Sequence, residues 1–356
     1  MKKTRSQYHY AVRCAKKNEF NITKQKLAEC SSGSTDMWKE LKKINPTCRN
    51  IPITVDNACG ADEIAELFVS KYEQLFTSVP TDTKELGASM SNINNGLSDT
   101  NIDSIHISVD VIVKCISKLK SGKSDGGQGF DSDHLLNGTS KLFQILCMLF
   151  NCMIIHGHTA NDLLYSTIVS IPKNLRASLC SSDNYRGIVL CCSICKLLDL
   201  VILDQFGKYL YTSDLQFGFK SGHSTTLCTA VYIKTIDYYL RRNSDVFSCL
   251  LDASKAFDKV HYGKLFKLLM KRGVPLLIIR VLYDSYTRQQ VSVSWNNSKS
   301  RFFGVTNGVK QGGVLSPILF IVYIDELLVL LSKSTLGCHV GSCYIGALGY
   351  ADDLTL

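Results

Sequence analysis

Residues 344–356 have the sequence YIGALGYADDLTL, in which two adjacent aspartates, Asp352 and Asp353, stand between short apolar segments. The flanking residues favour strands, so the stretch predicts a β-hairpin over 343–356 with both carboxylates near its turn. Two adjacent carboxylates repel each other and raise each other's pKa unless a cation neutralises them. The hairpin is therefore predicted to bind a divalent metal ion.

A third aspartate, Asp252, follows an apolar run over 246–251 that predicts a short buried strand. If the two strand ends are neighbours in one sheet, three carboxylates converge. That convergence suits a two-metal site, in which oxygen ligands hold two hard cations about 3.5–4 Å apart. A single aspartate at a strand end is more often a turn or cap residue, so the prediction depends on the combination.

The rest of the chain interleaves helices and strands irregularly, which predicts an α+β protein. Strands are predicted over 166–171, 291–295 and 301–306, the last two joined by a turn around Asn296 and Asn297. Residues 80–104 are rich in Ser, Thr, Asn and Asp and predict a polar loop. Apolar residues at helical spacing predict helices over 61–79, 109–119, 134–138, 140–156, 188–211, 225–242, 262–271, 275–287 and 317–332.

The 356-residue chain is 45% hydrophobic, which is typical of folded proteins and excludes an intrinsically disordered protein. Its length allows roughly two or three domains. Of the net charge of +9, +8 lies in residues 1–50, where twelve Lys and Arg face four acidic residues. This basic block indicates nucleic acid or an anionic membrane surface as a partner, although a solvated helical linker is the commoner explanation of such a run.

The fifteen cysteines form an odd set without regular spacing, which indicates reduced thiols in an intracellular protein. The tightest cluster, Cys191, Cys192 and Cys195, contains a C-x-x-C. No second pair lies at the spacing of a zinc site, so zinc is only a minor alternative.

No secretory leader and no membrane-spanning segment are predicted. The most apolar stretch, 314–331, contains Pro317 and the acidic pair Asp325-Glu326, which are too costly inside a bilayer. The protein is expected to be soluble, in the cytoplasm or the nucleus, and to bind no membrane.

Six blocks of the sequence, in order, resemble the motifs of reverse transcriptases, and specifically those of LINE-type (non-long-terminal-repeat, jockey-like) retrotransposons. Residues 250–260 (LLDASKAFDKV) resemble motif A, 308–324 (GVKQGGVLSPILFIVYI) motif B, and 350–353 (YADD) motif C. The other blocks resemble the family's fingers elements and lie at 171–173 (IPK) with 184–188 (NYRGI), at 216–220 (QFGFK) with 223–225 (HST), and at 118–131.

By this resemblance, Asp252, Asp352 and Asp353 are the catalytic, metal-binding carboxylates, and Asp353 contacts the ions least directly. The backbone carbonyl of Ala253 adds one more oxygen ligand. The implied cofactors are two ions of Mg²⁺ or Mn²⁺.

The resemblance also implies a nucleotide site. Phe257 matches the position of an aromatic ring under the incoming sugar, where it excludes a 2′-hydroxyl. Lys173 and Arg186 match positions that contact the triphosphate, and Gln311 matches one beside the base and sugar. Three lysines in the 118–131 block, Lys118, Lys120 and Lys123, are expected to bind the template backbone without reading its sequence.

The implied fold is the right-hand polymerase fold with fingers, an incomplete palm and no thumb. It divides the chain into a basic helical connector over 1–80, a polar loop over 81–104, fingers over 105–245 and a partial palm over 246–356. The chain is expected to be truncated at both ends, lacking the endonuclease before it and the thumb after it, and to be weak or inactive alone.

The implied activity is RNA-directed DNA synthesis on a DNA primer or target, with an RNA template and deoxynucleoside triphosphates as partners. The alternative is a catalytically inert retroelement remnant that at most binds nucleic acid. A viral RNA-directed RNA polymerase is disfavoured because Phe257 would exclude ribonucleotides.

Overall fold

The computed structural model describes residues 2–29, 52–80, 83–97, 105–123, 129–334 and 336–356, and the chain divides into two units, Met1–Pro52 and Ile53–Leu356. Its helices are α1 Lys2–Glu29, α2 Ala61–Phe76, α3 Thr83–Leu97, α4 Val109–Ile116, α5 Ser132–Leu136, α6 Ser140–His156, α7 Ser193–Phe206, α8 Thr225–Leu240, α9 Tyr262–Lys271, α10 Leu276–Thr287 and α11 Ser316–Ser332. Its strands are β1 Thr54–Val55, β2 Ala58–Cys59, β3 Tyr165–Pro172, β4 Tyr185–Cys191, β5 Leu250–Asp252, β6 Gln290–Trp295, β7 Ser298–Lys299, β8 Phe303–Gly304, β9 His339–Val340, β10 Cys343–Tyr344, β11 Leu348–Tyr350 and β12 Asp353–Thr355. The mixture confirms the α+β class.

In the first unit, helix α1 carries part of the basic block, and nearly all of its described side chains are exposed. Residues 30–50 of that block lie outside the described residues.

In the second unit, a five-stranded sheet has the order β4-β3-β6-β7, with β8 also paired to β6. Strand β3 runs antiparallel to β4 and parallel to β6. The hairpin between β6 and β7 turns at Asn296 and Asn297, both with positive φ (45° and 67°), as a type I′ turn requires. The predicted helix over 188–211 is wrong at its start, because residues 188–191 belong to β4. Their apolar side chains supply a strand face, and the helix begins at Ser193.

Helix α2 covers one face of this sheet. Phe68 is fully buried and its ring packs at 5.3 Å from Tyr185 and 5.2 Å from Trp295. Tyr72 reaches the sheet through a 2.9 Å hydrogen bond between its hydroxyl and that of Ser170. The amphipathic helix predicted over 61–79 is confirmed, and it forms one core with β3, β4 and β6.

A second, larger core is helical and joins α4, α6, α7, α9, α10 and α11. Helix α3 also packs on it, so the polar loop predicted over 80–104 is wrong for residues 83–97. The signal was Leu86, Met90, Ile93 and Leu97 at helical spacing among polar residues, and Ile93 is fully buried.

A smaller sheet has three antiparallel strands in the order β11-β12-β5. It is called the small sheet below, and the five-stranded sheet is called the large sheet. Here the prediction of a buried strand over 246–251 is wrong. Only Leu250–Asp252 is a strand, it occupies the sheet edge, and Phe247 and Leu250 are 92% and 75% exposed. The apolar run gives a strand signal but not the number of neighbours that the strand will have. The predicted hairpin exists in shorter form, because Cys343 and Tyr344 pair with β9 instead of β12.

Among the described helices, none combines the length and the apolar character needed to cross a membrane. The most apolar of them, α11, buries Asp325, which forms a 3.0 Å ion pair with the half-buried Arg272.

Candidate active site

The three aspartates meet on the small sheet. Asp353 lies directly opposite Asp252 in the antiparallel register of β12 and β5, and Asp352 occupies the turn between β11 and β12. Asp252 and Asp353 are exposed and Asp352 is half-buried. The two strand ends are thus neighbours in one sheet, which is the condition on which the convergence of the three carboxylates depends.

Repulsion among these carboxylates is visible in Asp353. Its pKa is raised, first by desolvation and then by the negative charges of Asp352 and Asp252. Among the described residues no Lys, Arg or His forms an ion pair with any of the three. The donor set is therefore anionic oxygen without a counter-charge, which is the chemistry that hard divalent cations favour. Within the described ranges, no group of three or more His, Cys, Asp or Glu is already arranged to hold a metal ion.

A buried glutamine fixes the turn that carries Asp352. Ala351 has φ of +57°, in the left-handed region that costs energy for a residue with a Cβ. Its N–H donates to Oε1 of Gln216 at 3.0 Å, and Nε2 of Gln216 lies 3.4 Å from its carbonyl oxygen. Gln216 is fully buried, and the same Oε1 accepts the N–H of Gly218 at 2.8 Å.

The chain on either side of Gln216 is also attached to β11. Phe217 N–H donates to the carbonyl of Gly349 at 2.7 Å, and Gly349 N–H donates to that of Leu215 at 2.8 Å. The sequence analysis includes Gln216 in the 216–220 block that resembles a fingers element, but it does not predict the contact of its side chain with Ala351. Its only signal was a polar side chain between the apolar Leu215 and Phe217.

Phe257 lies in a short 3₁₀ turn, Phe257–Lys259, that follows β5. Its ring stacks on Phe320 of α11 with centroids 4.1 Å apart, and Phe219 meets it edge-on at 6.0 Å. The ring is half-buried. Helix α11 thus fixes one side of the Phe257 ring. Phe257 itself follows Asp252 by five residues.

Gln311 is held by Asp258, a residue that sequence reasoning did not single out. Nε2 of Gln311 donates to Oδ1 of Asp258 at 2.6 Å, and the Gln311 carbonyl accepts the N–H of Val189 in β4 at 2.6 Å. Gly312 has φ of +111°, and a Cβ there would stand 2.8 Å from the Val189 carbonyl oxygen. The loop over 308–313 is therefore fixed between the 3₁₀ turn and the large sheet.

Asp258 is 6% exposed, and burial raises its pKa to about 6 despite the opposing effects of Gln311, Lys255 and Arg186. The folded carboxyl thus binds its proton more tightly than the unfolded one. Between about pH 4 and pH 6 the folded state holds more protons, so the contribution of Asp258 to stability falls as the pH rises through that window.

Asp258→Asn should remove this pH-dependent cost, because the amide carries no charge that burial could destabilise. The amide oxygen can still accept the hydrogen bond from Gln311. The substitution is expected to raise the free energy of unfolding at pH 7 by up to about 3 kcal/mol, and by much less at pH 4. Urea unfolding at both pH values measures the difference, with Asp245→Asn, at an exposed position, as the matched control. An equal effect of Asp258→Asn at the two pH values would contradict the assignment.

Lys173 and Arg186 lie at one end of the β3–β4 hairpin. Arg186 pairs with Ile171 across the two strands, and Lys173 follows the end of β3. Both side chains are exposed, and the Lys173 ammonium donates to the carbonyl of Asp183 at 2.9 Å. Strand β4, which carries Arg186, is connected to the 3₁₀ turn that carries Phe257 through the hydrogen bonds of Gln311 to Val189 and Asp258.

The three candidate template lysines differ from one another. The Lys118 ammonium is 2.6 Å from Asp204, which also pairs with Lys114, and the two lysines lower the pKa of Asp204 to about 2. All three lysines are exposed, so the ion pair of Lys118 is what distinguishes it. Residues 124–128 of the glycine-rich segment lie outside the described residues.

Fold and site together define an α+β protein with an acidic cluster on a small antiparallel sheet and with exposed basic residues at one end of the β3–β4 hairpin. A family profile described as reverse transcriptase (RNA-dependent DNA polymerase) matches residues 171–356, just over half of the chain. The chain belongs to this family, which confirms the resemblance found in its motifs.

Curated relatives agree. The chain is 23% identical over 334 residues to the RNA-directed DNA polymerase from mobile element jockey of Drosophila melanogaster, covering 90% of this chain and 36% of the relative. It is 26% identical over 325 residues to the probable RNA-directed DNA polymerase from transposon BS of the same species (86% and 35%). It is 29% identical over 216 residues to the Pol polyprotein from type-2 retrotransposable element R2DM, also of that species (60% and 20%). The chain spans between a fifth and about a third of the length of these relatives.

Proposed function

We propose that the chain is the polymerase portion of a non-long-terminal-repeat retrotransposon enzyme and performs RNA-directed DNA synthesis. The observation that carries the proposal is the direct opposition of Asp252 and Asp353, with Asp352 at the adjoining turn. The proposed reaction is the attack of a primer 3′-hydroxyl on the α-phosphate of a deoxynucleoside triphosphate, with pyrophosphate as the leaving group.

The carboxylates of Asp252, Asp352 and Asp353, with the carbonyl of Ala253, would hold two ions of Mg²⁺ or Mn²⁺. When bound, such ions activate the attacking hydroxyl and neutralise the leaving phosphate oxygens. The protein contributes the geometry, because the antiparallel register and the Gln216 amide place the three side chains before any ligand arrives.

Residues of the large sheet and the 308–313 loop would hold the nucleotide. Lys173 and Arg186 supply positive charge for the triphosphate, with Arg186 offering a fixed fork of donors. Gln311, oriented by Asp258, would lie beside the base and sugar. Phe257, fixed against Phe320, would present its ring edge to the 2′ position.

The polymerase subdivisions follow the same proposal. Residues 105–245 would form the fingers and 246–356 part of the palm. Residues 1–80 would be the connector, although α2 of that segment packs on the large sheet. The RNA template and the DNA primer would lie across the carboxylates of the small sheet.

A primer-extension assay tests the proposal. The purified chain is given a DNA primer annealed to RNA, the four deoxynucleoside triphosphates and either Mg²⁺ or Mn²⁺. Metal-dependent extension that is lost in Asp352→Asn supports the proposal. Binding of the primed template without extension, under both metals and at high protein concentration, favours the inert nucleic-acid-binding alternative.

Phe257→Val should relax sugar selection. A smaller side chain leaves room for a 2′-hydroxyl, so the ratio of ribonucleotide to deoxynucleotide incorporation is expected to rise about tenfold or more. Single-nucleotide extension gives this ratio, which is insensitive to a general loss of activity. Phe302→Val, at a half-exposed ring that packs on Tyr165, is the matched control. An unchanged ratio in Phe257→Val would show that the Phe257 ring does not contact the sugar.

Lys120 and Lys123 should contribute more to template binding than Lys118, because Asp204 already engages Lys118. The double variant Lys120→Ala/Lys123→Ala is expected to weaken RNA binding about tenfold at 0.1 M salt. It should also flatten the dependence of log affinity on log salt by about one to two. Fluorescence anisotropy across a salt series measures both quantities. If Lys118→Ala has the larger effect, the ion pair does not withhold that lysine from the template.

A further inference from the structure

Two cysteines meet at the start of helix α7, outside the proposed polymerase site. Cys192 is the N-cap residue, and its sulfur accepts the N–H of Cys195 at 3.3 Å. The two Sγ atoms are 3.1 Å apart. Cys195 is half-buried, and its sulfur is also 3.1 Å from the carbonyl oxygen of Leu163. A C-x-x-C at a helix N-terminus brings its sulfurs close enough to bond without moving the backbone far.

The surroundings divide the roles of the two thiols. The side-chain contact with Cys195, backbone N–H groups and the charge of Lys310 lower the pKa of Cys192 to about 7 against the opposing effect of burial, whereas the pKa of Cys195 is raised. Asp199 and Cys191 also face this group, and the pKa of Lys310 is itself raised by the surrounding anions and thiols. Cys192 is thus the more acidic of the two thiols, and the sulfur of Cys195 lies 3.1 Å from it.

We propose that Cys192 and Cys195 form a redox-active dithiol, which hydroperoxides convert to an intramolecular disulfide. This modification does not depend on the proposed polymerase activity. It also explains the C-x-x-C without a metal, since the described residues contain no group of three or more ligands arranged to hold one.

The reaction balances in two steps. The Cys192 thiolate attacks the outer oxygen of the hydroperoxide, which forms a sulfenic acid and releases the alcohol, or water when the oxidant is hydrogen peroxide. The Cys195 sulfur then attacks the Cys192 sulfur and loses its proton, and the displaced hydroxide leaves as water. In sum, two thiols and one hydroperoxide give one disulfide, one alcohol and one water, with the peroxide as the species reduced.

Other cysteines of the chain provide a contrast. All thirteen cysteines among the described residues are free thiols. Cys147 is buried, as Cys192 is, but desolvation raises its pKa, and its hydrogen-bond partners are Asn151 and the carbonyl of Ile107. It lacks both the thiolate and the resolving thiol, so it serves as the internal reference for selectivity.

Peptide mapping tests the proposal directly. The reduced full chain is treated with hydrogen peroxide, denatured, alkylated and digested with trypsin, which releases residues 187–196 (GIVLCCSICK) as one peptide. The expected product carries one alkyl group, on Cys191, and has lost two hydrogens through a disulfide between Cys192 and Cys195. Prior reduction with dithiothreitol should restore three alkyl groups.

Two variants locate the bond. Cys195→Ser is expected to lower the yield of disulfide-containing peptide at least tenfold, whereas Cys191→Ser should leave it unchanged. The proposal is overturned if the wild-type peptide keeps three alkyl groups, if Cys147 is oxidised at the same rate, or if the disulfide disappears in Cys191→Ser instead. Fragment ions of the wild-type peptide identify the bonded pair even if a variant fails to fold.

Discussion

DNA synthesis is expected to fall by at least about a thousandfold when Asp352 is replaced by asparagine, while the fold stays intact. The amide has the shape of the carboxylate but not its charge, and the loss of one anionic oxygen weakens the hold on ions that must neutralise the reacting phosphate. Among the described residues, Asp352 forms no ion pair with a basic side chain, so the substitution leaves no such side chain unpaired. Its charge raises the pKa of Asp353, so the substitution relieves repulsion.

Activity and stability should therefore change in opposite senses. Primer extension with the metal concentration varied measures the loss, and thermal unfolding without metal should show an unchanged or slightly higher midpoint. Asp252→Asn should behave in the same way, because Asp252 lies opposite Asp353 in the register. Asp245→Asn, at an exposed aspartate just before β5, should extend primers as the wild type does. Full activity in Asp352→Asn would refute the metal assignment.

Much of the fold could be predicted from local pattern. Helices α6, α8, α9, α10 and α11 lie close to their predicted positions, because each has apolar residues at helical spacing over ten or more residues. Two of the failures share one physical cause. Residues 188–191 and 246–251 are short apolar runs, and a short run does not say whether it will be strand or helix, central or edge. In β4 that is decided by pairing with β3, and in β5 by the free sheet edge.

The candidate site divides in the same way. Asp252, Asp352 and Asp353 could be found from sequence because acids at strand ends have no packing role. Gln216 and Asp258 could not, since their partners are distant in the chain: Ala351 is 135 residues from Gln216, and Gln311 is 53 residues from Asp258. The two polar side chains can be buried because each forms a hydrogen bond with a group on another segment. Only the folded chain shows which group that is.

Gly218→Ala should have the second large effect, through the turn that carries Asp352. A Cβ at Gly218 would overlap the backbone nitrogen of Ala351 and stand 2.9 Å from its Cα. Neither neighbour is a flexible side chain, so either the hairpin or the 216–218 segment must move. We expect a loss of about 3 kcal/mol in the free energy of unfolding. Displacement of the carboxylates by about 1 Å should lower primer extension about a hundredfold.

Gly207→Ala is the matched control, because Gly207 has φ of −56° and a Cβ there would meet nothing within 4 Å. It should match the wild type in both urea unfolding and primer extension. If Gly218→Ala lowers stability while extension per folded molecule is unchanged, the hairpin position does not limit the chemistry. A combined loss, with Gly207→Ala unaffected, would show that the approach of residue 218 to Ala351 sets the position of the catalytic turn. The strained φ of Ala351 makes that dependence expected, because a turn that costs energy by itself keeps its geometry only while its neighbours hold it.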